Sequence, residues 1–407
     1  MINKNWRTQI TTVMTSQAIT MLGSSISGFA IVWYIALKTG SGVWMTYATL
    51  ANLVPGAIVS LFGGVFADRY NRKILAIFSD MGIALITLVM AILYQLGYQS
   101  LWMLLILLAA RSVGTGIQTP AASALVPQIV PEEHLPRVNG LNQTINSISQ
   151  LAGPALGGVI FGTVGLVGSF WVDVITATIG ISVFSFVKVQ NINKERVLES
   201  VFKEMHLGIN YVKKSKVLTY LFASFFAFWI LITPSAFLAQ IFIERTYSGD
   251  GVFNLTVMET AWSVGTLLGG VAVSWHGVIK NKIRMIFAVM AIDGIAFGLM
   301  VFMPNNWLFS FVMMLGGLAM PWMSTAHTTL LQEIVEPTMM GRVFSVVNII
   351  SMTAMPLGMV AFGPLGDIID LKLIFALTGL LSVVLAAWFY YKMRHFKIER
   401  HKQNSAQ

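Results

Sequence analysis

Six ionisable side chains lie inside long apolar stretches of this sequence, where such groups are costly. They are Asp80, Arg111, Asp173, Glu259, Asp293 and His327. An ionised group at the centre of a lipid bilayer costs at least about 2.5–3.5 kcal/mol, so its retention there points to binding, ion pairing or proton exchange. A carboxylic acid removed from water can exchange protons near neutral pH. The acids are therefore candidates for proton exchange across a membrane.

Three of the acids are candidates for this role, in a definite order. Glu259 comes first, and Asp173 and Asp293 follow it. The alternative for Glu259 is a carboxylate at the outer surface of the membrane. For Asp173 it is a structural hydrogen bond between helices, and for Asp293 a structural or interhelical role. Phe170 and Trp171 are close to Asp173 in the sequence and could pack against an apolar ligand.

A second set of polar and aromatic residues could line a cavity. The candidates are Gln17, Arg111, Phe170, Trp171, Phe226, Trp229 and His327. Aromatic side chains suit a broad apolar pocket, although lipid contact and packing explain most residues of this type. Arg111 is interpreted as the partner of a buried acid or as part of a gate. His327 is interpreted as a proton carrier or as a structural residue.

The elements that must position these residues are membrane-spanning helices. Of the 407 residues, 56% are hydrophobic and 11% are charged, against about 25% charged in average soluble domains. A helix needs roughly 20 apolar residues to cross a bilayer. Twelve such runs lie near 10–37, 43–66, 74–96, 101–123, 139–163, 166–187, 217–240, 251–275, 284–304, 307–331, 342–365 and 370–392. The sequence therefore predicts an all-α integral membrane protein with twelve transmembrane helices.

The basic residues predict the orientation of the chain. Only Lys38, Arg245 and Lys372 fall in the odd-numbered connections between runs. Of the 26 lysines and arginines, 22 fall in the N-terminus, the even-numbered connections, the 188–216 segment or the C-terminal tail. Because cytoplasmic loops carry the excess of basic residues, both termini are predicted to be cytoplasmic.

The two halves of the chain repeat at an offset of 205 residues. The matching pairs are Ile129-Val130 with Ile334-Val335, Arg137-Val138 with Arg342-Val343, Gly153 with Gly358, and Gly158 with Gly363. A same-direction repeat of six helices predicts two pseudo-symmetric six-helix bundles with a binding site between them. The predicted domains are a bundle over 1–187, a linker over 188–216, a bundle over 217–392 and a cytoplasmic tail over 393–407. The linker is expected to contain an amphipathic helix, either on the inner leaflet or solvated.

Three short patterns carry a family resemblance. The first runs from Gly64 to Lys73 and is similar to the signature loop of the major facilitator superfamily, with Asn71 where that loop usually has glycine. Asparagine also tolerates left-handed backbone. The second is Gly153-Pro154-Ala155-Leu156-Gly157-Gly158, which resembles the Gly-Pro motif of antiporters in that superfamily. The third is Gly341-Arg342-Val343-Phe344-Ser345, which is most similar to the macrolide-efflux type of bacterial drug exporter.

The resemblance implies a role for two of these patterns. The implied cytoplasmic gate consists of Gly64, Asp68, Arg69, Arg72, Lys73 and Arg342. It would hold the two bundles together on the inside, and the alternative is an ordinary basic loop. The implied antiporter motif consists of Gly153, Pro154, Gly157 and Gly158. It would form a tight, ion-excluding contact between the two bundles, and the alternative is ordinary glycine packing.

The resemblance also implies a major facilitator fold and a function. The expected protein is a secondary exporter of lipophilic drug-like compounds, working by proton antiport and alternating access in a bacterial plasma membrane. The alternatives are a lysophospholipid or siderophore exporter and, from another class, a non-transporting membrane sensor or scaffold. Expected partners are a small lipophilic substrate, protons and lipid; nucleic acid is not expected, and the chain is expected to be a monomer. The sequence has no cysteine and no Walker loop or metal-ligand pattern, so neither an enzyme nor a cofactor is expected, and the proton gradient is the expected energy source.

Overall fold

The computed structural model of the chain describes residues 5–187, 201–277 and 279–394; the side chains of residues 61, 63–69 and 201–205 lie outside this description. The helices are α1 (Trp6–Thr39), α2 (Gly42–Arg69), α3 (Arg72–Gln95), α4 (Leu101–Ile129), α5 (Leu135–Ser185), α6 (Val201–Lys214), α7 (Lys216–Thr233), α8 (Ala239–Thr246), α9 (Gly251–His276), α10 (Lys282–Leu299), α11 (Asn306–Ile334), α12 (Met340–Ile368) and α13 (Leu371–Met393). No strand occurs among the described residues.

Ten helical stretches of the described chain are long and apolar enough to cross a membrane. One of them, Glu132–Ser185, has 54 residues and would be about 80 Å long as a straight helix, against a hydrocarbon core of about 30 Å. It bends at Gly165, which has a φ of 70°, a backbone conformation that glycine adopts without strain. This stretch therefore crosses the membrane twice. Helix α9 is not among the ten stretches, but its 26 residues are enough to cross a bilayer, and it matches the run expected at 251–275, so we count it as the twelfth span. The predicted all-α class with twelve transmembrane helices is confirmed.

Two helix junctions depart from regular α-helix or from the sequence interpretation. A π turn at Pro234–Leu238 joins α7 to α8 within one span. Asn71 has extended backbone, with φ −62° and ψ 114°, and its side chain accepts hydrogen bonds from the N–H groups of Lys73 and Ile74. It caps α3 in this way, so the left-handed backbone suggested by its glycine-like position is not adopted.

The chain forms two compact units. Of the described residues, the first unit takes in 5–40, 44–187 and 249–256, and the second takes in 41–43, 201–248, 257–277 and 279–394. Each unit thus contains one short segment that is distant in sequence from the rest of it. The domain boundaries expected from the sequence stay predictions.

Close contacts at glycines hold both short segments in place. In the first unit, a Cβ added at Gly158 of α5 would overlap Thr256 near the start of α9. In the second unit, a Cβ added at Gly42 would overlap the main-chain carbonyl of Gly363 in α12. Gly158 and Gly363 are the two members of one repeat pair. The repeat seen in the sequence therefore places glycines at equivalent close contacts.

Helix α6 belongs to the second unit and packs against the start of α12. A Cβ added at Gly208 would lie 2.5 Å from the carbonyl oxygen of Arg342, and Val212 is buried. The hydroxyl of Tyr211 accepts a hydrogen bond of 3.4 Å from the N–H of Glu336. A helix with one face on protein thus occupies 201–214 of the expected linker, and residues 188–200 lie outside the described residues.

Tyr247, the residue after α8, links this helix to the connection between α10 and α11. The hydroxyl of Tyr247 donates a hydrogen bond of 2.9 Å to the carbonyl oxygen of Met303. Burial raises the pKa of Tyr247 to about 12, so the phenol remains a neutral donor at physiological pH.

Candidate functional site

A buried ion pair lies in the first unit. Arg111 of α4 pairs through Nη1 with Oδ2 of Asp173 in α5, and Asp173 is 1% exposed. Nη1 of Arg111 also donates to Oγ1 of Thr87 in α3 at 2.9 Å. Nη2 donates to the carbonyl oxygen of Ser24 in α1 at 3.1 Å, and the Ser24 hydroxyl donates to Oδ1 of Asp173 at 3.1 Å. One ion pair thus links four helices.

This pairing limits what Asp173 can do alone. The two opposite charges compensate each other, and removal of either would leave the other uncompensated inside the membrane. Asp173 could exchange a proton only together with a rearrangement of Arg111. Asp80 lies two turns before Thr87 on α3 and is half-buried.

Glu259 of α9 lies in the second unit and has a neutral partner. Its Oε1 accepts a hydrogen bond of 3.2 Å from Nε2 of Gln240 in α8. Gln240 is 4% exposed, and Glu259 is half-buried. An amide can donate to a carboxyl group in either protonation state. Glu259 can therefore gain or lose a proton without breaking an ion pair, which distinguishes it from Asp173.

Asp293 of α10 is isolated within the second unit. It is 1% exposed, and neither of its carboxyl oxygens has a hydrogen-bond partner among the described residues. It lines a cavity together with residues of α7, α13 and the π turn.

An aromatic cluster surrounds His327 of α11. Its ring stacks on Phe225 of α7 with centroids 4.4 Å apart, and Phe225 meets Trp229 edge-on at 5.9 Å. His327 is 4% exposed, and its Nε2, like Nε1 of Trp229, is buried without a hydrogen-bond partner in the described chain. Phe226, the aromatic neighbour that was expected to face a cavity, is half-buried.

The remaining cavity candidates lie in the first unit. Phe170 is fully buried and packs edge-on against Tyr94 with centroids 5.9 Å apart. Trp171 is exposed. Gln17 of α1 is half-buried, and its main-chain carbonyl oxygen accepts a hydrogen bond from the hydroxyl of Thr20. Phe170 is therefore a packing residue, whereas Trp171 and Gln17 have accessible surface.

The residues of the expected cytoplasmic gate are only partly described. The surroundings of Gly64 and the side chains of Asp68 and Arg69 lie outside the description. Arg72 donates to the carbonyl oxygen of Ala124 at 2.7 Å, and Lys73 donates to that of Ser185 at 2.7 Å.

Ser185 is the last residue of α5, where a cation is favourable, whereas Ala124 lies five residues before the end of α4. Arg342 of the gate set donates to the sulfur of Met339 at 3.3 Å. Of these bases, Lys73 thus contacts the C-terminal end of a helix, which the sequence interpretation did not consider.

The antiporter motif lies where α5 packs on α1. A Cβ added at Gly153 would lie 2.9 Å from Cβ of Ser25, and one added at Gly157 would lie 3.5 Å from Cβ of Phe29. Pro154 and Gly158 are buried in the same helix. The motif therefore brings two helices close together within the first unit.

Sequence reasoning missed a carboxylate at the end of α12. Oδ1 of Asp367 accepts hydrogen bonds from the N–H of Gly42 at 2.7 Å and from Nη2 of Arg245 at 2.9 Å. Oδ2 accepts from the Ser41 hydroxyl at 2.7 Å and from the N–H of Val43 at 3.0 Å. An acid directly after the Gly-Pro-Leu-Gly string at the end of a span was the available signal. A second missed pair joins Lys282 Nζ to Glu333 Oε1 at 3.0 Å.

The candidates therefore form separate groups. Asp173 with Arg111 belongs to the first unit, and Glu259 with Gln240 and His327 with Phe225 belong to the second. In the part of the chain that the structure describes, no three histidines, aspartates or glutamates come together as a metal site.

Comparisons with known proteins extend over nearly the whole chain. Residues 6–407 match the family described as transmembrane secretion effector. Macrolide efflux protein A of Streptococcus pyogenes is 30% identical over 386 residues, covering 94% of this chain and 95% of that protein. The staphyloferrin A transporter of Staphylococcus aureus is 20% identical over 396 residues, covering 96% and 97%.

A solved structure shares the fold. The nucleoside transporter NupG superposes with a TM-score of 0.72 at 13% identity, covering 97% of this chain and 100% of that one. At this identity the likeness concerns the fold alone. The family match and the relatives, which are transport proteins, show a multi-pass membrane protein of a transport family and not an enzyme. Together with the twelve-helix fold, the match over residues 6–407 and the 30% identity over nearly the full length show that the chain belongs to the transmembrane secretion effector family of the major facilitator superfamily.

Proposed function

We propose that this protein exports lipophilic drug-like compounds, of the macrolide or multidrug type, from the bacterial cytoplasm. The observation that carries the proposal is the 30% identity with macrolide efflux protein A over 94% of the chain. The absence of a Walker loop in the sequence favours an ion gradient over ATP as the energy source. The repeat of two six-helix halves supports transport by alternating access, in which one half moves against the other.

Protons are the proposed coupling ion, and Glu259 is the proposed proton carrier. Among the described residues, the side-chain partner of Glu259 is the amide of Gln240 at 3.2 Å, so both protonation states of Glu259 can keep a hydrogen bond. Asp173 is less suited, because Arg111 neutralises it. The cytoplasmic gate, including Asp68 and Arg69, is retained as part of the proposal.

The test is transport into inverted membrane vesicles with and without a proton gradient. A macrolide, ethidium and a lysophospholipid serve as substrates. We expect gradient-driven accumulation of the macrolide or of ethidium. Accumulation that is unchanged when the gradient is collapsed would contradict proton antiport.

The variant Glu259→Gln separates coupling from binding. Because the glutamine cannot release a proton, we expect gradient-driven accumulation to fall to the background level. Exchange of external for internal substrate, which needs no net proton movement, should remain. Glu244→Gln, at an exposed position of α8, is the matched control and should retain both activities. Full gradient-driven transport by Glu259→Gln would remove Glu259 from the mechanism.

A siderophore exporter is the second candidate. The staphyloferrin A transporter covers 96% of this chain, although at 20% identity. Polar iron-chelating substrates would then be exported in place of lipophilic ones. Competition between staphyloferrin A and ethidium in the same vesicles distinguishes the two.

A further inference from the structure

A small cavity lies inside the second unit, separate from Glu259 and from the aromatic cluster of His327. It lies between α7, the π turn, α10 and α13. The space holds one water-sized species. Its polar lining comes from Asp293, Ser235, Thr378 and Ser382, and the rest of the lining is apolar or glycine.

Asp293 is the only charged residue in this lining. It is 1% exposed, and among the described residues neither carboxyl oxygen has a hydrogen-bond partner. An uncompensated carboxylate in a dry interior is strongly unfavourable, so buried charges are paired or bind cations. A protonated acid would in turn need an acceptor for its hydrogen.

The three hydroxyl groups of the lining are already used as donors. Ser235 donates to the carbonyl oxygen of Ile232 at 2.7 Å, and Thr378 donates to that of Ile374 at 2.8 Å. Ser382 donates to the carbonyl oxygen of Met290 at 3.1 Å. A hydroxyl that donates its only hydrogen keeps its lone pairs as acceptors. The cavity is therefore lined by oxygen acceptors, with no side-chain donor left over for Asp293.

The carboxylate and hydroxyl oxygens that line the cavity indicate which kind of ligand it would bind. Oxygen ligands suit hard cations. A single carboxylate neutralises a monovalent cation, whereas a divalent cation would leave a net charge inside the membrane. Room for one water-sized species fits a dehydrated alkali ion. The adjoining π turn at Pro234–Leu238 interrupts the regular helix, and irregular turns of this type often occur at functional sites.

We propose that this cavity binds one monovalent alkali cation, Na⁺, with Asp293 as its anionic ligand and Ser235, Thr378 and Ser382 as neutral oxygen ligands. The bound ion neutralises Asp293 and links α10 to α13 and to the π turn. The site does not depend on the proposed proton antiport, because Glu259 is not part of it.

Thermal unfolding of the purified full-length protein in detergent tests the site. NaCl is varied from about 1 to 100 mM while choline chloride keeps the ionic strength constant. A ligand that binds only the folded state raises the unfolding temperature, and we expect a rise of about 2–5 °C with Na⁺. Equal unfolding temperatures in NaCl and choline chloride at every concentration would overturn the proposal.

Variants assign the effect to the cavity. Asp293→Asn removes the anionic ligand, so the Na⁺-dependent rise should disappear. Ser382→Ala keeps the carboxylate, and the Na⁺ concentration for half of the rise should increase several-fold. Thr353→Ala removes an exposed hydroxyl that donates to the carbonyl of Ile349, and this control should respond like the unaltered protein. An unchanged rise in Asp293→Asn would overturn the assignment.

Binding of radioactive ²²Na⁺ to the purified protein provides a second measurement, which does not depend on stability. We expect saturable binding near one ion per chain that Ser382→Ala weakens. A proton is the competing occupant. If lowering the pH from 8 to 6 stabilises the protein and Na⁺ adds nothing at either pH, Asp293 carries a proton and the Na⁺ proposal is overturned.

Discussion

Asp173 and Asp293 are both 1% exposed, yet their surroundings are opposite. Asp173 has Arg111, Ser24 and Thr87 as partners, whereas Asp293 has no hydrogen-bond partner among the described residues. Burial alone therefore does not assign a role to an acid in a membrane helix. The partner decides whether it is a structural charge, a proton carrier or a cation ligand.

The ion pair of the first unit makes a prediction for stability. Arg111→Leu or Asp173→Leu leaves one buried charge uncompensated, and each should lower the free energy of unfolding by about 3–5 kcal/mol. The double variant should lose clearly less than the sum of the two. Unfolding in mixed micelles measures these differences.

A smaller change at the same place serves as the control. Ser24→Ala removes one hydrogen bond to Asp173 and should cost only about 1 kcal/mol. Additive losses in the Arg111/Asp173 double variant would show that the two charges do not act as a pair.

The sequence was informative about which residues matter and uninformative about their partners. Ionisable residues inside apolar runs could be listed, because their cost in lipid is general. Arg111 was expected either to pair with a buried acid or to belong to a gate, but four acids were available as partners and no spacing rule selects Asp173. Asp367 was overlooked because it lies at the end of a span, where an acid costs little.

At the scale of single helices, small residues control how closely segments approach. Gly165 bends α5, and Gly153 and Gly157 bring its first half against α1. The apolar runs predicted two spans here, and the turn between them is as short as the sequence indicated. The π turn at Pro234–Leu238 was not predictable, because a proline near the middle of a span is equally compatible with a simple kink.

The close contact at Gly158 makes the second prediction for stability. An added Cβ would overlap Thr256, so Gly158→Ala should cost about 1–3 kcal/mol. Gly140→Ala in the same helix meets open space and should be neutral or gain up to about 1 kcal/mol.

Unfolding temperatures of the two variants in detergent provide the comparison. Thr256→Ala removes the atom that would lie nearest to the added Cβ and should recover part of the loss in Gly158→Ala. Equal effects of Gly158→Ala and Gly140→Ala would mean that the contact with Thr256 is not close in the protein.

For the molecule as a whole, the internal repeat had the greatest predictive value. It predicted two six-helix halves, and the fold class is confirmed by the twelve spans and by the family match. The repeat could not predict that residues 41–43 and 249–256 are each included in the unit of the other half. The contacts of these segments, such as those of Asp367 and Gly158, have no period in the sequence.

The orientation in the membrane remains a prediction and can be tested directly. The chain has no cysteine, so single introduced cysteines report their own location. Ser248→Cys lies in a connection predicted to be outside, and Lys280→Cys lies in one predicted to be inside. On intact cells, a membrane-impermeant maleimide should label the first and not the second. The reverse pattern on intact cells would invert the predicted topology.

The bonds of Asp367 also bear on the order of synthesis. The first N–H groups of a helix have no partner within the helix, and those of Gly42 and Val43 are satisfied by Asp367. A ribosome makes α2 long before it makes the end of α12. During translation, the start of α2 must therefore rely on water or lipid headgroups, and it acquires its protein partner only when nearly the whole chain has been inserted.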